Sequence, residues 1–252
     1  MLQSSAAVAH AHKSTQVDDF ENDGVAIPDY LEEYYWWAYV RPWAVWTFER
    51  DWMINLILWG FYNPLRALTL AMMEPDFSGR TLKISCCYGK LEHSLAEKVK
   101  QAGGHLDIID VAPEQLKNSR RKLVDYLGDT VSHYHMNSND LRLPDNSYDR
   151  AMIFFLPHEQ PDEIRRKTFT EAFRVVKPGG HIYITEFSRS KWYHPLRYIW
   201  YPVLMVLEPF ARAVWRNDIA TFLPHGGVGC TIEKKEIFAK FYQCVKVTTP
   251  AK

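Results

Sequence analysis

Between Arg80 and Phe187 short apolar runs alternate with amphipathic stretches, and that rhythm restricts the chain more than any other feature. Thr81–Cys86 predicts a strand, Glu92–Ala102 a helix, His105–Asp110 a strand and Glu114–Tyr126 a helix. Val131–Met136 and Arg150–Phe155 predict two more strands, the second following the turn Pro144-Asp145-Asn146-Ser147. Asp162–Val176 then predicts a helix and His181–Phe187 a fifth strand. Right-handed crossovers place these strands in one parallel sheet covered by helices, an α/β fold. Lys177-Pro178-Gly179-Gly180 is expected to stop the preceding helix, because proline cannot continue it and glycine supplies a left-handed cap. Thr231–Phe238 and Tyr242–Thr248 alternate as an antiparallel hairpin would, with a helix over Ile232–Phe241 as the competing reading. The expected sheet therefore has seven strands, mostly parallel, closed by an antiparallel hairpin.

The rest of the chain divides around this core. Residues 1–26, with one lysine, no arginine and an acidic end, read as a disordered tail and not as a targeting peptide. Residues 27–78 read as an aromatic helical cap, and 79–252 as the sheet domain with a helical insertion at 191–228. Thirty basic and thirty acidic residues balance, which argues against an electrostatic hold on nucleic acid. Four cysteines, two of them adjacent, do not make a disulfide framework. Neither Trp52–Tyr62 nor Leu196–Trp215 is a convincing membrane span, the first being too short and the second broken by Pro202, Glu208, Pro209 and Arg212. The bent, aromatic second segment suits a membrane surface better.

In such a sheet ligands bind beyond the carboxyl ends of the strands, where strand order reverses. The loop after the first strand is Ser85-Cys86-Cys87-Tyr88-Gly89, in which only Gly89 has the freedom a ligand cradle wants. An acid about 20 residues further on binds ribose hydroxyls in nucleotide folds. Asp110, followed by Val111, stands at that interval and points to an adenosine ligand. Asn139 and Asp140, after the third strand, are candidates for the adenine end, the turn-stabilising role of Asp140 being the alternative. Pro157-His158-Glu159-Gln160-Pro161 brings a titratable pair to the mouth of the site, as acid, base or metal ligand, or else as a helix-start loop. His133 and His135 share a strand face as a metal pair would, although a solvated face explains them more simply. Cys86 and Cys87 read as packing groups before nucleophiles.

The loop at Thr81–Leu91, Asp110, Asp140 with Leu143-Pro144, and Glu171–Gly180 together resemble the class I S-adenosylmethionine (SAM) dependent methyltransferase superfamily, whose fold is a Rossmann-like sheet. A narrower resemblance runs through nearly the whole chain. Tyr34-Tyr35-Trp36-Trp37-Ala38-Tyr39-Val40, Asn55–Gly60, Cys87-Tyr88-Gly89, Phe154–Pro161 and His194-Pro195-Leu196-Arg197-Tyr198 are similar to a family of rhodoquinone biosynthesis proteins. That resemblance implies conversion of ubiquinone to rhodoquinone, an amino group replacing a ring methoxy group, with SAM as nitrogen donor and co-substrate and with a divalent metal, manganese.

On that reading Ser85, Cys86, Cys87, Tyr88, Gly89, Asp110, Val111, Asn139 and Asp140 hold SAM, and Tyr88, His158 and Glu159 face the reacting groups. Manganese prefers oxygen and imidazole, so Asp140, His158 and Glu159 are its candidate ligands. A methyltransferase loop offers an acid in the first strand and several glycines. Lys83, Ser85 and Cys87 stand there instead, so the methionine end of SAM is expected to be held differently. Ubiquinone as partner, peripheral contact with the inner membrane from the cytoplasm, or from the mitochondrial matrix, and a quinone entrance between the aromatic segments complete the expectation. Its alternatives are a methyltransferase acting on a quinone or phenolic precursor and a non-catalytic protein of the same fold that binds lipid or a partner. A nicotinamide enzyme stands further off, since no Gly-x-Gly-x-x-Gly follows the first strand.

Overall fold

A computed structural model of the protein describes residues 24–189, 191–195, 198–199 and 207–251. The expected tail lies almost wholly outside the described residues, as does part of the expected insertion. The strands are β1 (Arg80–Ile84), β2 (His105–Asp110), β3 (Val131–His135), β4 (Tyr148–Phe154), β5 (Val176–Phe187), β6 (Thr231–Ile237) and β7 (Tyr242–Thr248). They form one sheet in the order β3-β2-β1-β4-β5-β7-β6. β1 to β5 run parallel, and β7 joins β5 and β6 antiparallel. The hairpin reading of the C-terminal segment thus holds, with Ile237 opposite Tyr242.

Ahead of the sheet come α1 (Asp29–Tyr34), a π-helical turn at Trp36–Val40, α2 (Pro42–Phe48), α3 (Asp51–Ile57) and α4 (Tyr62–Met73). Five elements where one long amphipathic helix could stand follow in part from Pro42 at the first turn of α2 and from Gly60, whose φ of 79° ends the α3 segment. Within the sheet domain lie α5 (Leu91–Gln101), α6 (Pro113–Lys122), α7 (Asp162–Val175) and α8 (Ala211–Arg216). The core is the apolar face of β1, β4 and β5, where Leu82, Ile84, Ile153 and Ile182 are fully buried, together with α4 and α5. Thr69 of α4 reaches the sheet through a 2.6 Å hydrogen bond with Thr185.

The Pro-Gly-Gly stretch does something other than expected. α7 stops at Val175, and Val176 is already extended (φ −80°, ψ 136°) and paired with Tyr148. The next register pair is Arg150 with His181, so Lys177–Gly180 form a bulge inside β5 and not a helix cap. The residue before a proline avoids the helical region, which ends the helix early. Gly180 is obligatory for a different reason: a Cβ there would stand 2.8 Å from the carbonyl oxygens of Asp149 and Lys177.

Candidate active site

Strand order reverses between β1 and β4, and the loops beyond these strands, with that of β2, open on a cavity of about 390 Å³. Ser85, Cys86, Cys87 and Tyr88 line one side, Asp110, Val111, Ala112 and Gln115 another, and Phe155, Leu156, His158, Glu159 and Phe187 a third. The roof is the aromatic cap, through Tyr30, Trp37, Tyr39, Phe48, Ile57 and Leu58, joined by Leu207 and Glu208. A wall bearing titratable side chains therefore faces an aromatic, apolar box.

Asp110 occupies the place its spacing predicts. Its carboxylate accepts hydrogen bonds from the amides of Cys86 (2.7 Å) and Ala112 (2.8 Å), which fixes the acid between two loops that both line the cavity. Burial raises its pKa, and the two amides and Lys83 oppose the rise. Val111 and Ser138 line the same end. A carboxylate held rigidly beside small residues and open to the cavity fits the ribose of a SAM molecule. Asn139 and Asp140 do not line the cavity, and Asp140 is exposed. Asp140 instead closes a turn through its backbone, its amide donating to the Asn137 carbonyl, while the side chain bonded within this turn is that of Asn137, which accepts from the Asn139 amide.

The loop itself is under backbone strain. Ser85 holds a φ of 68° and Gly89 one of 78°. A Cβ on Gly89 would lie 2.6 Å from the Tyr62 hydroxyl, so this glycine answers both a torsion and a close approach. Tyr88 donates to the Ala38 carbonyl (2.5 Å) and accepts from Gln115 (2.6 Å), while its ring stacks with Tyr39 and Phe48. Its hydroxyl is committed as donor and acceptor, and burial carries its pKa far above the ordinary phenol range. As placed, Tyr88 ties the loop to the cap and shapes the cavity. Cys86 and Cys87 are free thiols, and burial outweighs the pull of Lys83 to push Cys87 up to about 12. Neither is a ready nucleophile.

His158 and Glu159 meet at the opposite wall. The His158 Nδ1 lies 3.0 Å from Glu186, whose carboxylate also accepts the His158 amide at 3.1 Å. Burial lowers the imidazole pKa, but the charge and hydrogen bond of Glu186, aided by Glu208 and Glu159, outweigh it and bring it to about 9. Glu159 moves the other way from its usual range. Burial raises it, His158 pulls it down, Glu208 pushes it up again, and it settles near about 8. Tyr39 donates to Glu159, and Tyr35 donates to Glu208 at 2.7 Å. This is an acid and a base in one wall, with protonation states near neutrality. Arg165 of α7 positions it, donating to the carbonyls of Pro157 (2.6 Å), Gln160 (2.6 Å) and Phe210 (3.0 Å).

The expected manganese set does not assemble. Asp140 stands apart from His158 and Glu159, whose nearest nitrogen and oxygen are 3.8 Å apart. Among the described residues no three His, Cys, Asp or Glu side chains are grouped to hold a metal ion. His133 and His135 part company too. His133 is buried against Ser119 (2.9 Å), with its pKa brought by burial to about 4, and His135 bonds the Val111 carbonyl (2.9 Å). The solvated face expected for them is thus half wrong, since β3 packs His133 under α6.

Sequence reading missed Glu186, Glu208, Tyr35 and Tyr39 on this wall. Glu186 had a signal: it sits at the carboxyl end of β5, subject to the same rule as the first four strands. Glu208 and the cap tyrosines are brought in by tertiary packing from far along the chain, and no local pattern marks them.

Comparison with known proteins places this architecture. The chain is 29% identical over 160 residues to a ubiquinone/menaquinone biosynthesis C-methyltransferase UbiE of Rickettsia prowazekii, covering 57% of this chain and 64% of that one. A demethylmenaquinone methyltransferase of Listeria monocytogenes is 28% identical over 132 residues, 52% of this chain and 54% of that one. The chain thus spans under two thirds of the length of these relatives. Among solved structures, a phosphoethanolamine N-methyltransferase 2 of Haemonchus contortus in complex with SAM superposes with a TM-score of 0.62 at 14% identity, over 90% of this chain and 61% of that one. The [4+2]-cyclase SpnF superposes with a TM-score of 0.53 at 16% identity, over 74% and 82%. These two likenesses show the fold, a class I SAM methyltransferase sheet. Residues 46–219, from the cap to the far side of the site, match the model of the ubiE/COQ5 methyltransferase family, and the chain belongs to that family.

Proposed function

We propose that the protein binds SAM at Asp110 and replaces a ring methoxy group of ubiquinone by an amino group, producing rhodoquinone, with SAM as nitrogen donor. One observation carries this reading: an aromatic cavity, sized for a ring, closed on one side by a SAM-type loop and on the other by His158, Glu159, Glu186 and Glu208. When the SAM nitrogen attacks the ring carbon bearing the methoxy group, it must lose a proton, and the methoxy oxygen must gain one to leave as methanol. Glu159, ionised in part near neutrality, is suited to take the first, and the His158 imidazolium to supply the second. The bond from that nitrogen to the SAM α-carbon must then break, which follows if the α-proton is lost and its electron pair reduces the quinone to a quinol bearing an imine. Water hydrolyses the imine to the amino-substituted quinol and a keto acid. Side chains in place of glycines reshape the cradle that methyl transfer uses, and the same fold in a [4+2]-cyclase is consistent with chemistry other than methyl transfer.

A second reading is C-methylation of a quinone precursor, and the relatives named as quinone-biosynthesis methyltransferases favour it. Both readings share a quinone substrate, and the exposed aromatic rim around the cap supports its delivery from a membrane surface, on the cytoplasmic or matrix side. Incubation with ubiquinone and SAM carrying labels on the amino nitrogen and on the methyl carbon, with and without manganese, separates them by mass spectrometry of the quinone. Nitrogen label in the product from ubiquinone supports amination. Since ubiquinone has no free ring position, C-methylation is read in a parallel incubation with a precursor lacking the ring methyl, where methyl label supports it, and both substrates unchanged overturns both readings.

A further inference from the structure

The loop after β1 binds its own chain on every carbonyl. Lys83 donates to Ser85 O at 2.5 Å, the Ser85 hydroxyl to Cys86 O at 3.0 Å, and Tyr62 to Tyr88 O at 3.0 Å. Lys122 donates to Cys87 O at 2.8 Å and to Gly89 O at 3.4 Å. Three of its amides are also committed: Cys86 to Asp110 at 2.7 Å, Cys87 to Glu92 at 2.9 Å and Gly89 to Glu49 at 3.1 Å. The two lysines and two glutamates form one network behind the loop, Lys122 lying 3.3 Å from Glu92 and 3.2 Å from Glu49. Lys83 and Glu92 are wholly buried, and none of these four side chains lines the cavity.

An amino-acid zwitterion docks on a backbone loop through carbonyls that accept from its ammonium and amides that donate to its carboxylate. Here ammonium groups of the chain already hold the Ser85, Cys87 and Gly89 carbonyls, hydroxyls hold those of Cys86 and Tyr88, and carboxylates hold the Cys86, Cys87 and Gly89 amides. The lysines and Glu49 and Glu92 draw the groups they hold away from the cavity. We infer that this loop recognises the adenosine and sulfur of its ligand and not the amino-acid end, because Lys83, Lys122, Glu49 and Glu92 hold from behind the carbonyls and amides that a zwitterion would use. The inference rests on the reading that adenosine binds at Asp110. It deepens the proposed reaction, since an amino-acid end not anchored by the loop is available to the cavity, where its nitrogen is needed.

The test is direct binding to the full-length protein by titration calorimetry, with S-adenosylhomocysteine and 5′-methylthioadenosine, the same thioether without the amino-acid end. The expected result is one-to-one binding of each, mutual displacement, and dissociation constants within about threefold, whereas charged hydrogen bonds to the amino-acid end would be worth about tenfold or more. Tenfold or greater weakening for the truncated thioether overturns the inference while leaving the adenosine site intact. Failure of both to bind, or binding without displacement, overturns it together with the adenosine site. Neither outcome depends on whether the quinone product carries nitrogen, so the proposed reaction stands or falls separately.

Discussion

Single residues at the site carry torsional and electrostatic costs that can be measured. Ser85 adopts a left-handed conformation that costs an L-residue about 1–2 kcal/mol. Ser85→Gly is expected to recover about 0.5–1 kcal/mol, less the lost hydroxyl bond to Cys86 O, read as a raised urea midpoint. Gly89→Ala goes the other way, because the added carbon meets Tyr62 Oη at 2.6 Å and keeps a φ of 78°. A loss of about 2–3 kcal/mol is expected, and an unchanged midpoint would show that the loop is built differently. His158 gives a pH signature. Its pKa in the fold, about 9, lies above its unfolded value, so folding takes up a proton between these limits. That stabilisation is complete below about pH 6.5 and drains away as pH rises through 9. Subtracting the stability of His158→Gln from that of the parent should leave a difference that falls with pH across this window, by up to about 1.4 kcal/mol per unit. A flat difference would mean that Glu186 does not hold an imidazolium.

Elements explain what sequence could and could not announce. β1 to β5, the hairpin and Asp110 were legible because each is a local matter: an apolar period, a turn, a fixed interval after a loop. The β5 bulge was not, since Lys177–Gly180 carry the same residues that cap a helix, and only pairing of Val176 with Tyr148 decides between the two. Nor was the second half of the wall, which α7 assembles from three places. Arg165 is fully buried and grips the 157–160 loop and Phe210 by three carbonyls. Lysine has one donor centre where arginine has a planar fork, and cannot span them. Arg165→Lys should therefore cost about 3 kcal/mol and separate Glu208 from Glu159, lowering turnover more than SAM-analogue binding. Equal losses in both would show that Arg165 supports the fold at large and not this wall.

At the scale of the whole molecule, the disposition of apolar surface supports the proposed quinone entrance. Trp43, Trp46 and Trp52 are more than half exposed, at 59%, 57% and 63%, and Leu56 beside them reaches 67%. Arg50 lies 4.0 Å over the Trp46 ring and Arg41 5.9 Å over Trp36, an arrangement of aromatic plane and cation that suits a headgroup layer. The same short helices line the cavity through Trp37, Phe48, Ile57 and Leu58, so the exposed rim and the cavity roof are two faces of one cap. A second exposed aromatic set, at Trp192 and Tyr193, precedes His194, whose ring meets Phe238 at 5.3 Å; Phe238 in turn stacks on Phe61 of the cap at 4.1 Å. Among the described residues no helix is long and apolar enough to cross a membrane, and the exposed rim is the surface offered for the proposed bilayer contact. Replacing Trp43, Trp46 and Trp52 together by serine removes exposed rings only, and should leave the urea midpoint within about 0.5 kcal/mol of the parent. Co-sedimentation with phosphatidylcholine–phosphatidylglycerol vesicles should fall by tenfold or more, each interfacial ring contributing on the order of 1 kcal/mol. Turnover of a short-tailed quinone in solution should persist while turnover of a long-tailed one embedded in vesicles drops. Undiminished sedimentation of the triple variant would place the membrane contact, and with it the quinone's entrance, on another face of the molecule.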